Sequence, residues 1–114
     1  MADPDFPAEL VDLQRRANDA LAALEAYRRT VDAARAADAD RADAELRATG
    51  GRPVEIPSWG RRQLRPWTEE ENRRFGELQA AVLAAQEARR AGIEASGLAH
   101  GIEVVQGLNQ AARA

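Results

Sequence analysis

GGRPVEIPSWGRRQLRPW, residues 50–67, decides the fold, because it is the one long break in a chain that otherwise reads as helix. Three of the five prolines, Pro53, Pro57 and Pro66, lie here with both tryptophans, Trp59 and Trp67. Each proline holds the residue before it in extended geometry. No alanine occurs between Thr49 and Gln79, a sharp shift from the flanks. Gly50–Gly51 stands where helices usually end. A loop of 18 residues thus separates two helices, at about 8–48 and 68–96. With a short third helix at about 101–113, the pattern predicts an all-α fold, a long antiparallel helical hairpin in a single domain of residues 1–114. Long structureless loops are functional or disordered in most proteins, and two indoles argue against disorder here.

Outward from the loop, the first segment carries an apolar seam at 3–4 spacing. Leu10, Ala17, Leu24 and Val31 repeat every seven residues, as do Leu13, Ala20, Tyr27 and Ala34, with Leu21 beside them. This is a coiled-coil pattern. Pro7 is expected in the first helical turn, with Asp5 as its cap. Opposite the seam, Asp12–Arg16, Glu25–Arg29, Arg28–Asp32, Arg41–Glu45 and Asp43–Arg47 stand at pairing distance along a helix. After Ala34 the same register meets Asp38, Arg41 and Glu45, although the alanine-rich stretch Arg35–Arg47 keeps high helix propensity. A helix that outruns its packed part is expected.

The second segment opens with a capping box, Thr68 with Glu71, and Trp67 is placed to staple onto Asn72 and Phe75. Its seam reads Phe75, Leu78, Val82, Ala85, Ala88 and Gly92, with Ile93 and Ala95 beyond. Ser96–Gly97 is the expected end. In the third segment Ile102, Val105, Leu108 and Ala112 share a face, and Gly101 and Gly107 lower its intrinsic helicity, so it needs packing.

Of the 51 apolar residues 26 are alanine, so only 25 larger side chains remain for a core. Buried alanine removes little area from water. A thick core is not expected, and self-association or a partner helix would supply the missing burial. There is no cysteine and one histidine, His100, which excludes disulfides and thiolate metal sites and leaves no catalytic set. No cofactor and no enzymatic role are expected. The longest apolar run, Ala80–Ala85, is too short to span a bilayer, and the N-terminus has no secretory pattern, so a cytoplasmic location is the expectation. All 16 basic residues are arginine. Residues 1–46 carry net −5, residues 47–66 net +4 and residues 67–114 net −2.

The basic segment holds the candidate partner-binding residues: Trp59, Arg61, Arg62, Arg65 and Arg52. Guanidinium forks match phosphate or carboxylate, and indoles stack on bases. The competing reading, which the charge pattern favours, folds the tryptophans onto the hairpin and pairs the arginines with Asp40, Asp43, Glu45 and Glu69–Glu71. WTEEE at 67–71 resembles the opening of a Myb-type repeat, without the later tryptophans. Residues 96–109 resemble the turn and second helix of a helix-turn-helix, with the apolar spacing one residue late and no basic side chain before Arg113. Trp59–Gly60 resembles the WXG100 motif, which has one residue between the two.

FPAELVDLQRRANDALAAL (6–24), PWTEEENRRFGELQAAVLAAQEA (66–88), ASGL (95–98) and VVQGLNQAAR (104–113) resemble small uncharacterised helical proteins of Streptomyces-type actinobacteria, often associated with phages or mobile elements. The resemblance implies a small helical protein and brings no activity or site residue with it. The expected function is therefore a non-enzymatic interaction or structural protein acting through helix–helix contacts, with a protein partner or a second copy. The alternative is a nucleic-acid-binding accessory protein using the Arg/Trp loop or the C-terminal helix, disfavoured because that helix carries Glu103 and no basic side chain before Arg113 and because charge runs are usually solvated faces.

Overall fold

The computed structural model describes residues 6–51, 63–97 and 101–113, apart from the side chain of Ile102. Among them the chain forms three α-helices and no strand: α1 (Ala8–Ala48), α2 (Glu69–Ser96) and α3 (Ile102–Arg113). The expected hairpin is present. Gly92 lies against Leu10 and Leu13, Gln14 meets Arg89, Tyr27 meets Trp67 and Asp38 meets Arg65, so α1 and the second arm run antiparallel. The helix termini follow the chemistry of their residues. Thr68 accepts from the Glu71 amide at 3.0 Å while the Glu71 carboxylate accepts from the Thr68 amide at 2.9 Å, which closes the capping box. Gly97 ends α2 in the left-handed region at φ +77°.

At the end of α1, Gly50 (φ +81°) donates to the Arg47 carbonyl and Gly51 to the Leu46 carbonyl at 2.8 Å. These two bonds make a Schellman motif, which needs the left-handed conformation that glycine adopts without a Cβ penalty. The start differs from expectation. Pro7 is the N-cap, with extended backbone (φ −53°, ψ 140°), and its carbonyl accepts from Leu10 and Val11. It therefore precedes the first helical turn, and Asp5 lies outside the described residues.

The seam is narrower than the heptads suggest. Leu10, Ala17 and Val31 are buried and Leu13, Ala20, Leu24 and Tyr27 half-buried, but Leu21 and Ala34 are exposed. On α2 the expected seam positions Phe75, Leu78, Val82, Ala85, Gly92 and Ile93 face inward and Arg89 joins them, while Ala88 and Ala95 face out. A 3–4 alternation from Ala85 arrives at Arg89, and helical geometry prevails over the preference for alanine. The ion pairs on α1 also shift. Asp12, Asp32 and Asp38 pair at i+3 with Arg15, Arg35 and Arg41 in place of the i+4 pairing expected for Asp12 and Asp32. Glu25, Arg28 and Arg29 have no ion partner among the described residues.

The chief apolar cluster sits at the open end of the hairpin, where α3 docks. Leu10, Ile93 and Leu108 are buried together, ringed by Phe6, Val11, Leu13 and Val104. The third helix turns Val104 as well as Val105 and Leu108 inward. Gly107 is the seat of Phe6: a Cβ there would lie 2.8 Å from the ring tip. The glycine that weakens α3 intrinsically is thus what lets Phe6 lie across it. The radius of gyration is 21.5 Å, against roughly 13 Å for a compact chain of this length.

Candidate functional site

Of the five predicted site residues, the structure describes one. Trp59, Arg61, Arg62 and Arg52 lie outside the described residues. Arg65 is turned inward, against α1 and the start of α2. Its Nε donates to Asp38 Oδ2 at 2.7 Å, and its fork reaches Glu71, Nη1 to Oε1 at 2.7 Å and Nη2 to Oε2 at 3.3 Å. The Arg65 carbonyl in turn accepts from Arg35 Nε at 2.6 Å. Asp38, which interrupts the apolar seam, is thus the acceptor that ties the end of the loop to α1. A bidentate arginine–carboxylate pair is among the stronger polar contacts available. For Arg65 the competing reading of the basic segment holds: Glu71 is one of its partners, and Asp38 takes the place of Asp40, Asp43 or Glu45.

The Arg65 guanidinium, with the Thr68 amide second, holds the Glu71 carboxyl at about 2, below its ordinary 4.5. Its bond to Asp38 lowers that carboxyl as well, and the two carboxylates raise the arginine. A depressed folded-state value contributes stability above the ordinary value, which is lost as pH falls through the folded one. Melting temperature should therefore fall between pH 4.5 and about 2. The fall should be shallower in Glu71→Gln, measured by circular dichroism across that window, and equal slopes would refute the coupling.

Above this anchor lies an aromatic ladder. Trp67 packs edge-on against Phe75 at 5.2 Å between centroids and against Tyr27 at 6.3 Å. The staple expected of Trp67 therefore reaches Phe75 and also crosses to α1.

A second polar constellation has no counterpart in the sequence reading. Arg89 Nη1 donates to Gln14 Oε1 at 3.2 Å, Gln14 Nε2 to Asn18 Oδ1 at 3.0 Å, and Asn18 Nδ2 to Asn109 Oδ1 at 2.8 Å. One relay links α2, α1 and α3. Gln14 is only 3% exposed, and the buried Nε of Arg89 has no hydrogen-bond partner. Removing one partner of such a contact leaves a buried polar group unsatisfied, whereas replacing both with apolar groups can be neutral or stabilising. Gln14→Leu alone should therefore cost about 1–3 kcal/mol. Gln14→Leu with Arg89→Met should return to wild-type stability or above, as read from urea unfolding of all members of the cycle. Additive losses would show that the relay is a net contributor.

Among the described residues no three His, Cys, Asp or Glu side chains gather as a metal site, and no helix is long and apolar enough to cross a membrane. No protein-family model, curated protein or solved structure matches the chain.

Proposed function

We propose that this chain is an interaction protein that works through helix–helix contacts, with the hairpin beyond α3 as its docking surface. The supporting observation is how little of that part is packed. Six apolar side chains are buried among the described residues, and three of them form the cluster under α3. Farther along the hairpin Val31 and Val82 are the buried apolar residues, while Leu21 and Leu83 stand 45% and 67% exposed. α1 is about 60 Å long and α3 about 18 Å, so most of the hairpin has one helical neighbour. A partner helix laid along it would bury the leucines and the alanines around them. Arg65, held by Asp38 and Glu71, is the part of the basic segment that speaks against use of that residue for phosphate.

The test is a photo-crosslinking residue placed at Leu83, and separately at Leu21, in the native host. A discrete protein adduct from at least one position is expected, of twice the chain mass if the partner is a second copy. No adduct from either, with a cooperative melt independent of protein concentration, would overturn the proposal.

A further inference from the structure

Because α3 rests on α1, the side of α2 turned away from α1 carries no helix. Opposite the inward Val82, Ala85 and Arg89 it shows two rows that recur every seven residues: Arg73, Ala80 and Glu87, and beside them Glu69, Gly76, Leu83 and Arg90. All seven are exposed, and Leu83, at 67%, is the most exposed large apolar side chain among the described residues. A Cβ at Gly76 would meet nothing within 4 Å, so the row has an open notch one heptad before its leucine. Arg73 is held by Glu70 and Glu77 and Arg90 by Glu87 and Glu94, which fixes both guanidinium groups along the helix, whereas Glu69 has no ion partner among the described residues. The face is self-complementary. About a point beside Ala80, Leu83 lies as far on one side as Gly76 on the other, Glu87 as far as Arg73, and Arg90 as far as Glu69. A two-fold axis through that point sets large against small and cation against carboxylate, each of them twice.

We propose that α2 docks on α2 of a second copy of this chain, antiparallel about a two-fold beside Ala80, with Leu83 of each copy seated in the Gly76 notch of the other. This rests on the reading of the hairpin as a helix-docking protein and names the occupant of its α2 face. Ala80 meets its own counterpart on the axis, where small side chains let two helices approach to about 8 Å. Arg73 faces Glu87, and Glu69 faces Arg90. A parallel pairing would set each charge on its own kind. An antiparallel pairing slipped by one turn would set Arg73 on Arg90 in one direction and Glu69 on Glu87 in the other, and juxtaposed like charges oppose binding. Charge therefore selects the same register as the leucine and its notch. Two faces of one helix bury less than about 1,200 Å², so the dimer belongs to the weak, reversible class.

Sedimentation equilibrium of the full chain, from about 10 μM to about 1 mM, should show a monomer–dimer equilibrium. Leu83→Arg should weaken it about tenfold or more. Gly76→Leu should do the same by filling the notch, yet leucine is the better helix former, so the melting temperature of the dilute monomer should hold or rise. Arg73→Glu and Glu87→Arg should each weaken the dimer when alone, because each sets like charges opposite one another twice. Mixing those two variants should restore it, since both charge pairs are then opposite in sign. Circular dichroism of each variant checks that the helices are kept. A monomer at every concentration overturns the proposal, as does a dimer unmoved by both Leu83→Arg and Gly76→Leu, or a mixture no tighter than its parts. If the chain stays monomeric while a crosslinker at Leu83 captures a different protein, the second copy is excluded and the helix-docking reading stands. If no crosslinked adduct forms either, both fall.

Discussion

Leu108→Ala is expected to release α3 from the hairpin. Leu108 is fully buried, between Leu10 and Ile93. Truncating a buried leucine costs about 2–5 kcal/mol, from lost transfer energy and the cavity left behind. The docking energy available to α3 is of the same order. Its other anchors are the half-buried Val104, the contact of Phe6 on Gly107, the Asn18–Asn109 hydrogen bond and a long bond from Arg15 Nε to the Ala112 carbonyl at 3.4 Å. A free helix of 12 residues is marginal in water, and Gly107 costs it a further ~1 kcal/mol relative to alanine. The loss should therefore appear as local melting and not as a uniform weakening. Amide exchange at residues 104–112 should rise to near the unprotected rate, while α1 between Ala17 and Val31 keeps most of its protection. If the α3 amides and the hairpin amides lose protection by the same factor, α3 is not a separate unit and the assignment of the cluster to its docking is wrong.

The features that could be read in the sequence are those set by neighbours along the chain. Thr68 with Glu71, Gly50 with Gly51, and Ser96–Gly97 each fix a terminus through bonds spanning a few residues, and the helices begin and end where those residues put them. The hairpin followed from two helices and one loop. What could not be read was set by distant partners. Gln14 looks like a surface residue until its donor, 75 residues away, is known to be Arg89, and Asn18 finds Asn109 at a separation of 91. Leu21 has the residue type of the seam, yet it lies on the flank at the end of α3 and stays 45% exposed. Arg89 stands inward where the expected seam has Ala88, because the 3–4 alternation from Ala85 runs through position 89. The candidate site divides likewise. Charge density marks Arg65 as a binding residue, and its partner Asp38 stands in the sequence only as a flaw in the heptads. Read together, the flaw and the arginine account for each other.

Trp67→Ala should be the most damaging change at the other end of the hairpin. Trp67 is half-buried between Tyr27 of α1 and Phe75 of α2, edge-on to both. Replacing a buried tryptophan by alanine costs about 3–5 kcal/mol, and partial exposure here puts the expected loss near the bottom of that range, about 3 kcal/mol. The two edge-to-face contacts are a substantial share, at about 0.5–1.5 kcal/mol each beyond burial. For a chain of this size that loss lowers the melting temperature by roughly 10 °C or more. Unlike the nearby Arg65 cluster, the ladder is apolar, so its contribution should be insensitive to salt, whereas any contribution from Arg65 should weaken as ionic strength rises. Trp67→Phe, which keeps a ring at the same place, should recover more than half of the loss. The measurement is thermal unfolding at low and high salt, followed by circular dichroism at the helix band for the wild type and both variants. An equal loss for Trp67→Phe and Trp67→Ala would mean that ring contact contributes little. A loss from Trp67→Ala that disappears at high salt would mean that the indole acts by shielding Arg65, Asp38 and Glu71 from water, and the anchor of the second arm would then be electrostatic and not aromatic.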